Sequence, residues 1–183
     1  QLAKKLDELG LAYITPGDQD FAMGVEFLNQ IALENKFEFI IANLKKDVPL
    51  KHKEWITIKR GKNLIFLAGF IHSETMRPEY ESLFLPIENE LSRVLLEMKA
   101  QGYDEKNPDH RLIVISHSGI DQDEKLAEKF PQIDWIIGSH SQSFLRYSRD
   151  VGKTKIVQVL SKNHYIGEVS VSMAGKSSDD TYR

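Results

Sequence analysis

Two stretches of the sequence decide the fold: residues 112–119, LIVISHSG, and residues 136–142, IIGSHSQ. In each, a run of apolar residues ends in a histidine inside a turn of glycine and serine. A continuous apolar run predicts a strand that is buried on both faces. A histidine just past such a strand lies at the edge where open α/β sheets collect their ligands.

His117 and His140 are therefore predicted to converge on one point, as the ligands of a metal ion do. Their matching contexts support this prediction, together with Gln142, an amide two residues past His140. The alternative is that each histidine only makes hydrogen bonds in its turn or faces solvent, and the surrounding residues leave that alternative open.

The hydrophobic pattern of the rest of the chain predicts alternating helices and strands. Helices are predicted over residues 2–9, 25–35, 87–100 and 121–129, where apolar side chains recur at helical spacing. Strands are predicted over residues 11–14, 37–44, 112–117, 133–137, 143–147, 155–160 and 166–173, and a hairpin is predicted to turn at 60–63. This order predicts a single mixed α/β sandwich over residues 1–174, followed by a flexible tail over 175–183.

The composition excludes several classes of protein. The 183 residues carry a formal net charge of -3 at pH 7, so no nucleic-acid partner is predicted. The absence of cysteine excludes disulfides, thiolate metal sites and thiol nucleophiles. No apolar run approaches the roughly 18 residues that span a bilayer, so no membrane span is predicted. The chain begins at Gln1 within a predicted helix, and we expect it to be processed or part of a longer protein.

A second polar turn follows the first predicted strand, at residues 17–21, GDQDF. It places two carboxylates and an amide in a turn that begins with glycine and opens a helix. Asp18 or Asp20 is predicted as the N-cap of that helix, because a carboxylate there is favoured by the helix dipole.

Four segments of the chain, taken in order, resemble the motifs of a known family: 17–21 (GDQDF), 41–44 (IANL), 115–119 (ISHSG) and 138–142 (GSHSQ). They resemble the calcineurin-like metallophosphoesterases of the 5'-nucleotidase and UDP-sugar hydrolase branch. The corresponding family segments read Gly-Asn-His-Glu-Phe-Asp, Ser-Ala-Asn, Leu-Ser-His-x-Gly and Gly-His-Ser-His or Gly-His-Ser-Gln. The resemblance covers nearly the whole chain and implies an α/β (α+β) fold, a four-layer αββα sandwich.

The resemblance also implies a site for two divalent metal ions, of Mn, Zn, Mg or Fe, that hydrolyses phosphoesters. In its terms His117 and His140 are ligands of one ion and Gln142 is a ligand of the other. Asp18 stands where the family has a metal-binding asparagine, and its carboxylate is a harder, charged donor for such ions. Asn43 and His164 stand close to where the family binds its substrate, and holding a turn is the alternative role for Asn43.

The chain departs from the family in two ways. Gln19 stands where the family carries its catalytic histidine, and Ala22 stands where it carries the aspartate that orients that histidine. Glutamine cannot protonate a leaving alkoxide, so general-acid catalysis worth roughly 10²–10⁴-fold is predicted to be missing, and no catalytic residue is assigned. The family's two earlier motifs, Asp-x-His and Gly-Asp, have no counterpart here, so we expect an N-terminally truncated sandwich that lacks its first strands.

Two functions remain open at this point. The first is a divergent metal-dependent phosphoester hydrolase, 5'-nucleotidase-like, with altered or weak activity on a small nucleotide-like molecule. The alternative is a catalytically inactive module that keeps the fold for binding or structure and holds no metal. The resemblance implies a periplasmic or extracellular location and further domains of the same polypeptide.

Overall fold

The computed structural model describes residues 2–161, 165–173 and 180–183. The helices are α1 (Leu2–Glu8), α2 (Asp18–Phe21), α3 (Val25–Glu34), α4 (Pro78–Glu81), α5 (Ile87–Ala100) and α6 (Ile120–Lys129). The strands are β1 (Tyr13–Ile14), β2 (Glu38–Phe39), β3 (Trp55–Arg60), β4 (Asn63–Ile71), β5 (His110–His117), β6 (Trp135–Gly138), β7 (Arg149–Val151), β8 (Thr154–Val157), β9 (Val169–Ser170) and β10 (Thr181–Tyr182). A turn of 3-10 helix covers Ser73–Thr75.

A six-stranded sheet carries both histidine turns at one of its edges. Its order is β3-β4-β5-β6-β8-β7, in which the four inner strands are parallel and each outer strand is antiparallel to its neighbour. β5 pairs with β4 and β6 so that His117 lies opposite Ile71 and Ser116 lies opposite Gly138. The carboxyl ends of these three strands therefore meet at the same edge, where ligands gather in sheets of this kind.

The inner strands β4 and β5 of the six-stranded sheet are largely buried on both faces, as their continuous apolar runs predict. Along β5, Leu112 and Val114 face α5 and α6, whereas Ile113 faces the opposite side. This alternation follows from the period of two residues in a strand. The sheet therefore separates two apolar clusters, one of which lies under the helices.

A smaller sheet of β1 and β2 forms the next layer. The two strands are parallel. Tyr13 packs into the cluster that holds Ile113, whereas its neighbour Ile14 packs into a third cluster with Leu28 and Ala32 of α3. The layers therefore run helix, sheet, sheet, helix. This order confirms the predicted α/β class and the four-layer αββα sandwich.

The two sheets approach each other closely at Gly69 of β4. A Cβ atom at this position would lie 2.0 Å from the Ile40 carbonyl oxygen and 2.3 Å from Thr15 Oγ1. Side-chain atoms do not come this close to other atoms, so only glycine fits. The contact is closed by hydrogen bonds, because Thr15 Oγ1 donates to the Ile40 carbonyl at 2.9 Å and the Ala42 N–H donates to the Gly69 carbonyl at 2.7 Å.

The predicted amphipathic helices and the hairpin are confirmed. The helices predicted over 25–35, 87–100 and 121–129 are Val25–Glu34, Ile87–Ala100 and Ile120–Lys129. The hairpin turns through Gly61, whose φ of 61° suits glycine. Within the described residues, none of the helices combines the length and the apolar character needed to cross a bilayer.

Three strand predictions are wrong in extent, those over 37–44, 143–147 and 166–173, and the last of these is a strand only at Val169–Ser170. The strand predicted over 37–44 is paired as a ladder only at Glu38–Phe39, although most of the run is buried. The strand predicted over 143–147 contributes an isolated bridge, and the edge strand is instead Arg149–Val151. An apolar run reports burial, whereas the available hydrogen-bond partners decide whether a buried run becomes a strand.

Residues 180–183, which belong to the predicted flexible tail, contact the body of the domain. Thr181–Tyr182 forms an antiparallel ladder with Val169–Ser170. The Asp180 carboxylate accepts hydrogen bonds from Trp135 Nε1 at 2.8 Å and from the Ser172 N–H at 2.6 Å. The domain boundary at residue 174 and the tail stay predictions, and 174–179 lie outside the described residues.

Leu95 and Leu96 of α5 are adjacent in sequence but lie in opposite environments, being 5% and 70% exposed. Leu95→Ala is expected to lower the free energy of unfolding by about 2–5 kcal/mol, because it leaves a cavity against the sheet. Leu96→Ala is the matched control and is expected to change it by less than about 0.5 kcal/mol. Urea denaturation followed by circular dichroism measures both, and equal losses would contradict this placement of α5.

Candidate metal centre

Three potential metal ligands converge at the carboxyl edge of the six-stranded sheet. Asp18 is the first residue of α2, His117 is the last residue of β5, and His140 lies in the turn after β6. One potential ligand atom from each residue lies within 4.8 Å of the other two. The structure thus brings together the two strand-end histidines and the predicted carboxylate from segments far apart in the sequence.

The distances between these atoms suit the ligand shell of a single ion. Asp18 Oδ1 lies 3.0 Å from His117 Nε2 and 3.9 Å from His140 Nδ1, and the two imidazole nitrogens are 3.3 Å apart. Ligand atoms bound tetrahedrally at roughly 2.0–2.1 Å are separated from one another by about 3.3 Å. The His140 side chain is 37% exposed and that of His117 only 11%, so the site opens to solvent on the His140 side.

The charges of these groups also suit a divalent ion. Burial, reinforced by the neighbouring His140, lowers the pKa of His117, so its imidazole is neutral at pH 7. Burial acts to raise the pKa of Asp18, but the hydrogen bond from Gln19 and the contacts with the His117 and His140 imidazoles outweigh it and hold that pKa below its usual value. An ionised carboxylate and imidazole nitrogens together form the donor set of Zn, Mn or Fe sites, so the residues present fit such an ion.

Gly17 makes room for the His117 imidazole. A Cβ atom at position 17 would lie 2.4 Å from His117 Cε1. Gly17 is also the N-cap of α2, and its N–H donates to the Asp20 carboxylate at 2.8 Å. The prediction that Asp18 or Asp20 is the N-cap is therefore wrong. The helix begins directly after Gly17, at a position where any side chain would collide with the imidazole.

A tight turn presents His140 to the site. His140 and Gln142 both have positive φ, 79° and 53°, which is uncommon for residues other than glycine. Ser141 between them secures the turn, because its hydroxyl accepts from the Ile120 N–H at 3.1 Å and donates to Gln158 Oε1 at 2.9 Å. The Gln142 side chain is exposed, and its role as a ligand of a second ion stays a prediction.

Asn43 holds together the loops beside the site. Its side chain is fully buried and its amide donates to the carbonyls of Ile71 at 2.7 Å and Leu85 at 2.8 Å. Its Oδ1 accepts from the Ile71 N–H at 3.1 Å. These hydrogen bonds match the alternative role predicted for Asn43, that of holding a turn. A contact of Asn43 with substrate stays a prediction. His164, the other predicted substrate contact, lies outside the described residues.

Comparisons with known sequences agree with this geometry. No protein-family model matches the chain. A 5'-nucleotidase of Mus musculus is 28% identical over 152 residues, which are 79% of this chain and 26% of that protein. An uncharacterised metallophosphoesterase of Bacillus subtilis is 26% identical over 120 residues, which are 64% of this chain and 24% of that protein.

Solved structures show the same fold. The sulfate thiohydrolase SoxB of Thermus thermophilus superimposes on 100% of this chain, over 34% of its own length, with a TM-score of 0.81 at 19% identity. A 5'-nucleotidase precursor of Thermus thermophilus superimposes on 99% of this chain, over 40% of its own length, with a TM-score of 0.75 at 18% identity. At these identities the structures establish the fold alone.

The chain is similar to the 5'-nucleotidase branch of the metallophosphoesterases. The resemblance of its four motifs is thereby confirmed. The chain spans about a quarter of the length of these two curated relatives, 26% and 24%.

The chain differs from that family at the turn around Asp18. Gln19, at the position of the family's catalytic histidine, is exposed and donates from Nε2 to Asp18 Oδ2 at 2.8 Å. Ala22, at the position of the orienting aspartate, is the C-cap of α2. The Gln19 amide therefore engages one oxygen of Asp18, while the other oxygen faces the histidines.

Two polar residues that support the candidate site escape prediction from the sequence. Ser139 Oγ lies 3.0 Å from His117 Nδ1. Asp123 is fully buried behind the strand ends and accepts a hydrogen bond from Ser116 Oγ at 2.5 Å. The place of Ser139 immediately before His140 is a signal that could have found it. Asp123 carries no such signal, because it lies in the charged run 121–125, DQDEK.

Asp123 is buried with one oxygen unsatisfied. Among the described residues, its Oδ2 has no hydrogen-bond partner. That oxygen packs against the backbone of Gly138, where a Cβ atom would lie 2.3 Å from it. Burial raises the pKa of Asp123 to about 7, although the hydrogen bond from Ser116 acts to lower it. The carboxyl group is therefore neutral through most of the mildly acidic range.

Asp123 is expected to make the domain less stable as the pH rises. Its pKa is about 7 in the folded state and about 3.9 in the unfolded state. Between these values the folded state holds a proton that the unfolded state has released, so the free energy of unfolding falls with rising pH. Asp123→Asn removes this pH dependence. Between about pH 4 and pH 8, the free energy of unfolding of Asp123→Asn is expected to rise relative to that of the wild type by up to roughly 4 kcal/mol.

Urea denaturation at both pH values measures the difference between Asp123→Asn and the wild type. Asp121→Asn, on the exposed side of the same helix, is the matched control and is expected to follow the wild type. A difference between Asp123→Asn and the wild type that does not change with pH would contradict the raised pKa.

Proposed function

We propose that this chain is a divergent metal-dependent phosphoester hydrolase of the 5'-nucleotidase type, with weak or altered activity. The convergence of Asp18, His117 and His140 is the observation that supports it most strongly. A carboxylate oxygen and an imidazole nitrogen 3.0 Å apart are both electron-pair donors, and a cation between them satisfies both. The three side chains already lie close enough together to bind one ion without a change of conformation.

In this proposal Asp18, His117 and His140 hold one divalent ion, and Gln142 contributes to a second. Such ions polarise a phosphoryl oxygen and lower the pKa of water. The fold positions these side chains, because Gly17 leaves space for the His117 imidazole and the ends of β5 and β6 hold His117 and His140. Of the metals that the family implies, two imidazoles with one carboxylate favour Zn, Mn or Fe over Mg.

Weak activity is proposed because no described residue of the site is placed as a general acid. The Gln19 amide cannot protonate a leaving alkoxide, and it is already engaged with Asp18 Oδ2 at 2.8 Å. The carboxylate of Asp20 accepts the N–H of Gly17 at 2.8 Å as part of the helix cap. General-acid catalysis is worth roughly 10²–10⁴-fold, so its loss leaves a slow enzyme.

The proposed substrate is a small nucleotide-like phosphoester, because the mouse relative is a 5'-nucleotidase. A periplasmic or extracellular location is proposed from the same resemblance. Further domains of the same polypeptide are also proposed, since the match covers 26% of that relative.

A second function is favoured by the replacements at Gln19 and Ala22. They replace both the acid and its orienting partner, while three buried apolar clusters still hold the sandwich together. A fold kept without its acid is suited to a non-enzymatic module that binds or scaffolds. The two functions differ in whether restoring the acid restores hydrolysis.

Calorimetric titration of the 183-residue chain with Mn²⁺ tests the metal site. We expect the wild type to bind Mn²⁺, and His140→Ala to weaken binding by more than about 10-fold, since loss of a ligand costs more than loss of an outer partner. His52→Ala is the matched control, because the His52 imidazole contacts the Leu50 carbonyl at 2.7 Å instead. A wild type that binds no Mn²⁺, Zn²⁺ or Fe²⁺ would overturn the proposed function.

Gln19→His combined with Ala22→Asp restores the acid pair of the family. Release of phosphate from AMP in the presence of Mn²⁺ is expected to rise by up to roughly 10²–10⁴-fold over the wild type, because the leaving alkoxide then receives a proton. Gln30→His, at an exposed glutamine of α3, is the control and is expected to have no effect. A double variant that binds Mn²⁺ without any gain in hydrolysis would favour the non-enzymatic module.

A further inference from the structure

Ser139 contacts the side of the His117 ring that faces away from the metal ligands. Its hydroxyl oxygen lies 3.0 Å from His117 Nδ1. The same hydroxyl donates to the backbone carbonyl of Ser116 at 2.8 Å. Ser139 therefore joins the turn after β6 to the end of β5, and the His117 ring forms part of that connection.

Counting hydrogens fixes the direction of both bonds. A hydroxyl has one hydrogen, and a carbonyl oxygen can only accept. If Ser139 Oγ gives its hydrogen to the Ser116 carbonyl, it must accept the other bond, so the hydrogen in that bond belongs to His117 Nδ1. A neutral imidazole carries one N–H, and its second nitrogen then has a free electron pair. For His117 this second nitrogen is Nε2.

The opposite side of the ring faces both a donor and an acceptor. The backbone N–H of Asp18 donates to His117 Nε2 at 3.4 Å, which uses an electron pair on that nitrogen. Asp18 Oδ1, which can only accept, lies 3.0 Å from the same atom and competes with Ser139 Oγ for the hydrogen of the ring. When that hydrogen is on Nδ1, the electron pair of Nε2 points towards Asp18 Oδ1 and His140 Nδ1, the position that a cation would occupy.

We propose that Ser139 is a positioning residue, which keeps the proton of His117 on Nδ1 and so presents Nε2 to a divalent cation. Hydrogen bonds to the outer nitrogen of a ligating histidine set its tautomer and ring orientation in metal sites generally. The family motif has glycine immediately before this histidine, so the hydroxyl of Ser139 is a feature of this chain. The proposal rests on the proposed function in one respect, that the three ligands hold a metal.

Two-bond ¹H–¹⁵N correlation spectra of the metal-free chain test the proposal without any metal or substrate. At about pH 8, where histidine is ordinarily neutral, the wild type is expected to show His117 protonated at Nδ1 and unprotonated at Nε2. The signals are assigned by their loss in His117→Asn. In Ser139→Ala the ring is expected to populate the Nε2-protonated form, and Ser139→Thr is expected to restore the wild-type pattern. A wild type protonated at Nε2 would overturn the proposal.

Affinity for Mn²⁺ provides a second readout on the same variants. Ser139→Ala is expected to raise the dissociation constant by about 10-fold, as losses of outer partners do, whereas Ser139→Thr stays close to the wild type. Ser92→Ala is the matched control, because Ser92 is exposed on α5 and its hydroxyl donates to the Glu88 carbonyl at 2.8 Å rather than contacting an imidazole. Equal affinities of Ser139→Ala and the wild type would also overturn the proposal.

The two proposals fail in distinguishable ways. A wild type that binds no metal defeats the proposed function, and the tautomer of His117 in the metal-free chain still decides the role of Ser139. A wild type that binds Mn²⁺ with His117 protonated at Nε2 in the metal-free state defeats the role of Ser139 and leaves the metal site intact.

Discussion

The parallel register of β4, β5 and β6 is the constraint on which the rest of the structure depends. Because the three strands end together, their loops leave the sheet at one edge and the turns of His117 and His140 meet there. Burial on both faces fixes the register, since Leu112 must face the helices while Ile113 faces the other sheet. A slip of one residue would turn every side chain of β5 to the opposite face and separate His117 from Asp18.

Bringing polar groups to a buried edge removes them from water, and backbone and hydroxyl groups offset that cost. Gly17 allows the His117 ring to lie directly against the main chain. Ser139 satisfies the outer nitrogen of the ring, and its hydroxyl also satisfies a carbonyl of β5. The compensation is incomplete at Asp123, where one oxygen has no partner among the described residues. A carboxyl group in that position is more stable when protonated, which is why its pKa is raised to about 7.

The sequence predicts those parts of the fold that leave a local pattern. The helix Ile87–Ala100 buries one face, so its apolar residues recur at helical spacing. The strand before His117 is covered on both sides, so its apolar residues form a continuous run. Pairing partners leave no such pattern, which is why the run 37–44 is buried but is a strand over only two of its residues. The candidate site divides in the same way. The convergence of the histidines follows from strand ends and motifs, whereas the N-cap at Gly17 and the bond from Ser139 arise from contacts between distant segments.

Holding a metal and donating a proton depend on different elements of this fold, so one can be lost without the other. The histidines lie at strand ends that the apolar clusters fix, and His117 could not move without disturbing β5. The position of the family's acid lies on α2, a helix of four residues, where Gln19 is exposed. A change at that exposed position leaves the packing of the core unaltered. The Gln19 amide has moreover acquired a bond of its own to Asp18. The residue at the position of the family's acid therefore helps to orient a candidate ligand, as the proposed metal site without a general acid requires.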